Sequence, residues 1–131
     1  MQVVELVIWA VVVVSGQQPV VVSDQQIYEY AARAAGEAGF SAEAHAAVVC
    51  TMRNRIIAGW SPARVLSAYY APDVTPTPAQ VAMARAIFEG GCDPRFYFAL
   101  GGIDTWRPHD RPAVAVIRDP YSDKSVWLFD K

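Results

Sequence analysis

The pattern of apolar and polar positions changes character along the chain. Valine dominates up to position 22; from 23 to 91 apolar residues return at helical intervals between caps; beyond 92 come short β-branched and aromatic runs cut by Gly, Pro and Asp. Ser23 with Gln26 three residues on makes a capping-box pattern, so a helix is predicted from Asp24 to Glu37, ended by Gly39. Ser41 caps the next helix; Glu43 in its first turn and Arg53 and Arg55 in its last turns complement the dipole, and Gly59 closes it. Ser61-Pro62 starts a short helix through about Tyr69, and "APDVTPTP" reads as a loop. Thr77, Pro78 and Gln80 open a fourth helix, on which Val81, Ala84, Arg85 and Phe88 trace the repeat until Gly90-Gly91 stop it. After Cys92, "RFYFAL", "AVAVIRD" and "SVWLFD" predict two or three short strands. Helices first and a small sheet last make an α+β domain, mainly helical, with a C-terminal antiparallel sheet.

The valine-rich start stands apart. Leu6 to Val14 form an unbroken apolar run ending at Val14-Ser15-Gly16, where a small residue at Gly16 and Val14 two positions earlier suit a signal peptidase. Against this, no Lys or Arg precedes Arg33, so the positive start of a secretory signal is missing, and Glu5 interrupts the apolar stretch. The run is shorter than the roughly 20 residues that span a bilayer. Residues 1–22 are therefore read as a signal or membrane-anchoring segment, with a buried strand or helix as the alternative, and residues 23–131 as the domain proper.

A chain of 131 residues holds one domain with a modest core. The formal net charge of −2 lacks the basic stripe of a nucleic-acid binder, so nucleic acid is not expected as a partner. The two cysteines, Cys50 and Cys92, have no zinc-type spacing, and His45 and His109 are too few for a metal cluster, so neither metal nor cofactor is expected. In an exported domain Cys50 and Cys92 could be joined; otherwise they are two small buried thiols. His45 shares a helix face with Val49 and Met52 and reads as a core histidine.

The candidate chemistry centres on Glu37, set among Ala34, Ala35, Gly36, Ala38 and Gly39. Cleaving a glycosidic bond requires a carboxyl group that delivers a proton to the leaving oxygen, and apolar surroundings help it keep that proton. The small neighbours would leave room for a glycan beside the backbone. The competing reading is a solvated helix-end acid paired with Arg33, one turn earlier; for the catalytic reading Arg33 must point elsewhere. Most glycosidases use two carboxylates, and Glu43, Asp73, Asp104 and Asp110 are the candidates for a second. Glu43 reads better as a first-turn dipole residue and Asp73 as a turn former, so no second acid stands out.

The order "GEAGFSAEAHAAVVCTMRNRI", "TPTPAQVAMARAIFEGG", "FYF" and a closing "SVWLF" resembles the spore-cortex-lytic or cell wall hydrolase family, small peptidoglycan-degrading domains with a lysozyme-like helical core. The match runs from about Ile27 to Phe129, carried by Glu37-Ala38, Asn54-Arg55, Thr77-Pro78 and Tyr97-Phe98. Tyr69-Tyr70 stand where that family usually has Gln-Phe, and Trp127 where it often has His. The resemblance implies an extracytoplasmic, monomeric enzyme, cellular or phage-encoded, acting on peptidoglycan, with Glu37 as catalytic acid. A single glutamate serving as acid and then base inclines the reading toward a lytic transglycosylase over a hydrolase. A non-catalytic cell-wall-binding or phage structural module that keeps the fold is the alternative. Tyr69, Tyr70, Tyr97 and Trp106 are candidates for stacking on sugar rings, although aromatics in short strands also build cores. Asn54 either hydrogen-bonds substrate or ties helix ends together.

Overall fold

The computed structural model describes residues 19–103 and 112–131. Within them, four helices precede a three-stranded antiparallel sheet, an α+β arrangement that is mainly helical. Helix α1 (Asp24–Ala38) begins with a full capping box: Ser23 Oγ accepts from the Gln26 N–H, and the Gln26 side chain accepts from the Ser23 N–H. Helix α2 (Ala42–Ile57) is capped by Ser41 Oγ. Gly59, at φ 102°, ends it in a conformation that suits glycine and lets the Trp60 N–H reach back to the Arg55 carbonyl at 3.0 Å.

Helix α3 (Pro62–Ser67) is shorter than the sequence suggests. The N–H groups of Ala68 and Tyr69 already bond three residues back, to Val65 and Leu66, and Pro72 biases Ala71 away from helix. Helix α4 (Pro78–Gly90) repeats the capping box with Thr77 and Gln80. Alanines carry much of the helix packing: Ala31, Ala34 and Ala38 of α1 and Ala44 and Ala47 of α2 are buried, which lets backbones approach closely. Tyr30 of α1 stacks on Phe88 of α4 with ring centroids 5.0 Å apart.

His45 is in the core, as expected. Its Nε2–H donates to the Ala31 carbonyl at 3.0 Å, and burial lowers its pKa, so a neutral ring links α2 to α1. Arg53 and Arg55 do more than complement the helix dipole. Both are buried, and Arg53 Nε donates to the Phe88 carbonyl.

The sheet has the order β1 (Phe98–Ile103), β3 (Lys124–Phe129), β2 (Ala115–Arg118), with Phe98 opposite Phe129 and Ile117 opposite Val126. The central strand is buried from Ser125 to Phe129. Val126 and Leu128 join the core, while Ser125 and Phe129, on the other face, border open space described below. A disulfide joins Cys50 on α2 to Cys92 just beyond α4, deciding between bridge and thiols in favour of the bridge.

Val20 donates to the Phe88 carbonyl at 2.8 Å, and Val20 and Val22 pack on the core, so the end of the 1–22 segment lies against the domain. The apolar run from Leu6 to Val14 falls outside the described residues. Among the described residues no helix is long and apolar enough to cross a membrane.

Candidate active site

Glu37 stands half-buried in the last turn of α1, and the loop between α3 and α4 sets its surroundings. Arg33 fastens that loop. Its guanidinium donates to the carbonyls of Leu66 at 2.6 Å and Tyr69 at 3.1 Å and pairs with the Asp73 carboxylate at 2.5 Å, so it points to the loop, as the catalytic reading requires. The Val74 N–H reaches the Ala32 carbonyl at 3.2 Å. At Gly36 the contact is so close that a β-carbon would stand 2.0 Å from the Pro72 carbonyl oxygen. The docked loop thereby delivers the Ala71 N–H to Glu37 Oε1 at 3.0 Å. That bond fixes the carboxyl group and leaves Oε2 with no hydrogen-bond partner among the described residues.

The open space expected at positions 34–39 is mostly filled. Ala34, Ala35 and Ala38 are buried, and Pro72 occupies the room at Gly36. The opening lies on the other side. A cleft of about 920 Å³ separates Glu37, Gly39 and the loop from β1 and the start of β3. Gly101 of β1 comes close enough that a β-carbon would lie 3.8 Å from the Glu37 carbonyl oxygen. Thr75, Thr77, Gln80, Lys124 and Ser125 add polar side chains to the cleft.

Of the aromatic candidates, Tyr70 is 95% exposed and lines this cleft. It also lines a second compartment of about 370 Å³, which shares Ala68, Tyr70, Ala99 and Leu100 with the first. Tyr69 lines the Glu37 cleft too, but it is buried, and its hydroxyl shares a 2.5 Å hydrogen bond with Thr51. Burial pushes the Tyr69 phenol pKa up, against the opposing effects of the Arg55 charge and the Thr51 hydrogen bond.

Tyr97 and Asn54 border a separate pocket of about 750 Å³. The Asn54 amide donates to the Asp93 carbonyl at 3.0 Å and the Phe96 carbonyl at 2.8 Å, tying α2 to the segment behind the disulfide. The structure thus brings Glu37, Tyr69 and Tyr70 together and places Asn54 elsewhere, with Tyr97 between that separate pocket and the rings of Trp60 and Phe98. Trp106 lies outside the described residues.

The acids divide equally clearly. Asp73 is held by Arg33, and Glu43 is exposed in the first turn of α2. Asp104 and Asp110 fall outside the described residues. Among the described residues, Glu37 is the one carboxylate lining the two connected compartments. No group of side chains that could hold a metal ion occurs among the described residues.

No protein-family model, curated protein or solved structure matches the chain.

The sequence reading passed over the wall of the second compartment, built by Arg55, Trp60, Phe98 and Phe129. Arg55 is 5% exposed. Its guanidinium carbon lies 4.9 Å from the Trp60 ring centroid, 5.0 Å from Phe98, 5.3 Å from Tyr69 and 5.7 Å from Tyr97. Its Nε–H donates to the Tyr97 carbonyl at 2.7 Å. The available signal was Arg55 followed across the Gly59 turn by Trp60, an arrangement that returns the chain onto the last helical turn.

Proposed function

We propose that the protein cleaves peptidoglycan glycan strands, with Glu37 as proton donor and then acceptor. The observation that carries this reading is the oriented carboxyl group on the wall of a sugar-sized cleft, with Oε1 engaged by the Ala71 N–H. Oε2 is then the oxygen that gives a proton to the glycosidic oxygen as the bond to the anomeric carbon breaks. The resulting carboxylate takes the proton of the muramic 6-hydroxyl as that oxygen attacks the same carbon, closing an anhydro ring. This route needs no second carboxylate, in keeping with the single acid on the described cleft walls. Tyr70, exposed at the junction of the compartments, offers a ring face to a sugar.

Zymography on purified cell wall with wild type, Glu37→Gln and Glu43→Gln tests the assignment. Glu37→Gln keeps the size of the side chain but cannot donate the proton, so turnover should fall by about 10² to 10⁴ with folding retained. Glu43→Gln should leave the rate nearly unchanged. Mass spectrometry of the released fragments should show anhydro ends. Reducing ends would make the reaction a hydrolysis, and equal activity of Glu37→Gln and wild type would remove Glu37 from the chemistry. A wild type that binds glycan strands without cutting them would turn the cleft into a binding module.

A further inference from the structure

The second compartment poses a question that the cleavage chemistry does not answer. Arg55 is a cation, 5% exposed, on the wall of a cavity. Removing such a charge from water is costly unless it is compensated. Here the compensation comes from four aromatic rings and the Tyr97 carbonyl. Among the described residues no carboxylate pairs with Arg55, and its Nη groups make no hydrogen bond. Aromatic faces attract the charge but do not replace the in-plane oxygen acceptors that a guanidinium fork is shaped to meet. A second cation, exposed Arg64, stacks on Trp60 at 3.8 Å and likewise has no carboxylate partner among the described residues. The compartment therefore combines apolar walls, positive potential and unspent donors.

We infer that this compartment is a receptor for an aliphatic carboxylate. The Nη groups of Arg55 would donate to the two carboxylate oxygens, and the aliphatic part would lie against Trp60, Phe98 and Phe129. The compartment opens past Tyr70 onto the Glu37 cleft. Resting on the proposed cleavage of peptidoglycan, this makes the ligand the acidic peptide branch of the strand being cut. Arg55 then sets a preference for peptide-bearing strands over bare glycan.

The probe is N-acetylmuramyl-alanyl-glutamic acid, compared with the same compound carrying amides in place of its carboxylates. It has no glycosidic bond to cut, so the intact wild-type protein can be used. Titrations followed by NMR at Arg55 Nε–H and the Trp60 indole N–H should show the acid binding about 10- to 100-fold more tightly than the amide. Arg55→Gln should erase that difference, and Arg55→Lys should restore part of it. Equal affinity of acid and amide for wild type overturns the inference, as does acid-selective binding that leaves the Arg55 and Trp60 signals unmoved. Should Arg55→Gln fail to fold, the wild-type comparison still decides. The two readings fail separately: acid selectivity without glycan cleavage sinks only the enzyme, and cleavage without acid selectivity sinks only the receptor.

Discussion

Arg33 and Arg55 stand behind the two compartments, and they are held in opposite ways. Arg33 is partly exposed and spends its donors on two carbonyls and a carboxylate. Arg55 is buried, gripped by ring faces, and spends a single N–H. The first arrangement is saturated and serves to position a loop. The second is stable in charge yet open in hydrogen bonding, which distinguishes a binding group from a brace. Fixed geometry near Glu37 thus rests on the loop clamp, and the aromatic wall rests on whatever holds residues 92–98 against α2.

That difference can be broken selectively. The largest effect is expected from the Cys50–Cys92 bridge, whose closure of a 42-residue separation contributes about 4 kcal/mol in the chain-entropy model. Together with Asn54 it anchors the segment that leads to Tyr97 and Phe98. Reduction should lower Tm and perturb Trp60 and Arg55 signals before those of Ala71. Simultaneous loss at both walls would show that they are not held independently.

Gly36→Ala attacks the other wall. The added carbon meets the Pro72 carbonyl, backbone rather than a yielding side chain, so about 1–3 kcal/mol should be lost and the Ala71–Glu37 bond displaced. Thermal denaturation and the Ala71 amide shift test this, and an unchanged amide would mean that loop contact does not orient Glu37.

A pH effect common to both regions comes from His45, whose folded pKa is lowered by burial from an ordinary value near 6.5. Below that value the unfolded chain binds more protons than the folded one. Stability should therefore hold above pH 6.5 and decline as pH falls through that value toward the lowered folded pKa. Denaturant unfolding between pH 7.5 and 5 measures the slope, and His45→Gln should flatten it in that range. A slope that survives the substitution would locate the sensitivity elsewhere.

The smallest effect is expected at Asp73, 55% exposed in its pair with Arg33. Asp73→Ala should cost about 0.2–1 kcal/mol, because Arg33 keeps its bonds to the Leu66 and Tyr69 carbonyls. A loss several times larger would make the ion pair, not the carbonyl contacts, the main fastening of the loop.

Local chemistry made much of this fold legible. Ser23, Ser41, Ser61 and Thr77 cap the helices predicted for them, because capping needs only residues three apart. The sheet was readable from composition as two or three short strands, and three are present among the described residues. Their order was not, since the placement of β3 between β1 and β2 depends on packing over long separations. Glu37 was legible as an acid among small residues, but the reason for Gly36 was not, because Pro72 lies far away in sequence. The same limit hid Trp60, whose ring joins those of Tyr69, Tyr97 and Phe98 around Arg55. Neither a helix-end arginine nor a single tryptophan shows, in one dimension, that four rings will converge on one guanidinium.

The strand order also bears on the timing of assembly. Among the described residues β1 and β2 share no edge, and each pairs only with β3, which is synthesised after both. A nascent chain can gather its capped helices early, since all four precede the sheet in the chain, whereas the far bank of the cleft must wait for residues 124–129. Until that strand docks, Glu37 faces no opposing wall, and the young protein carries this carboxyl group without a cleft around it.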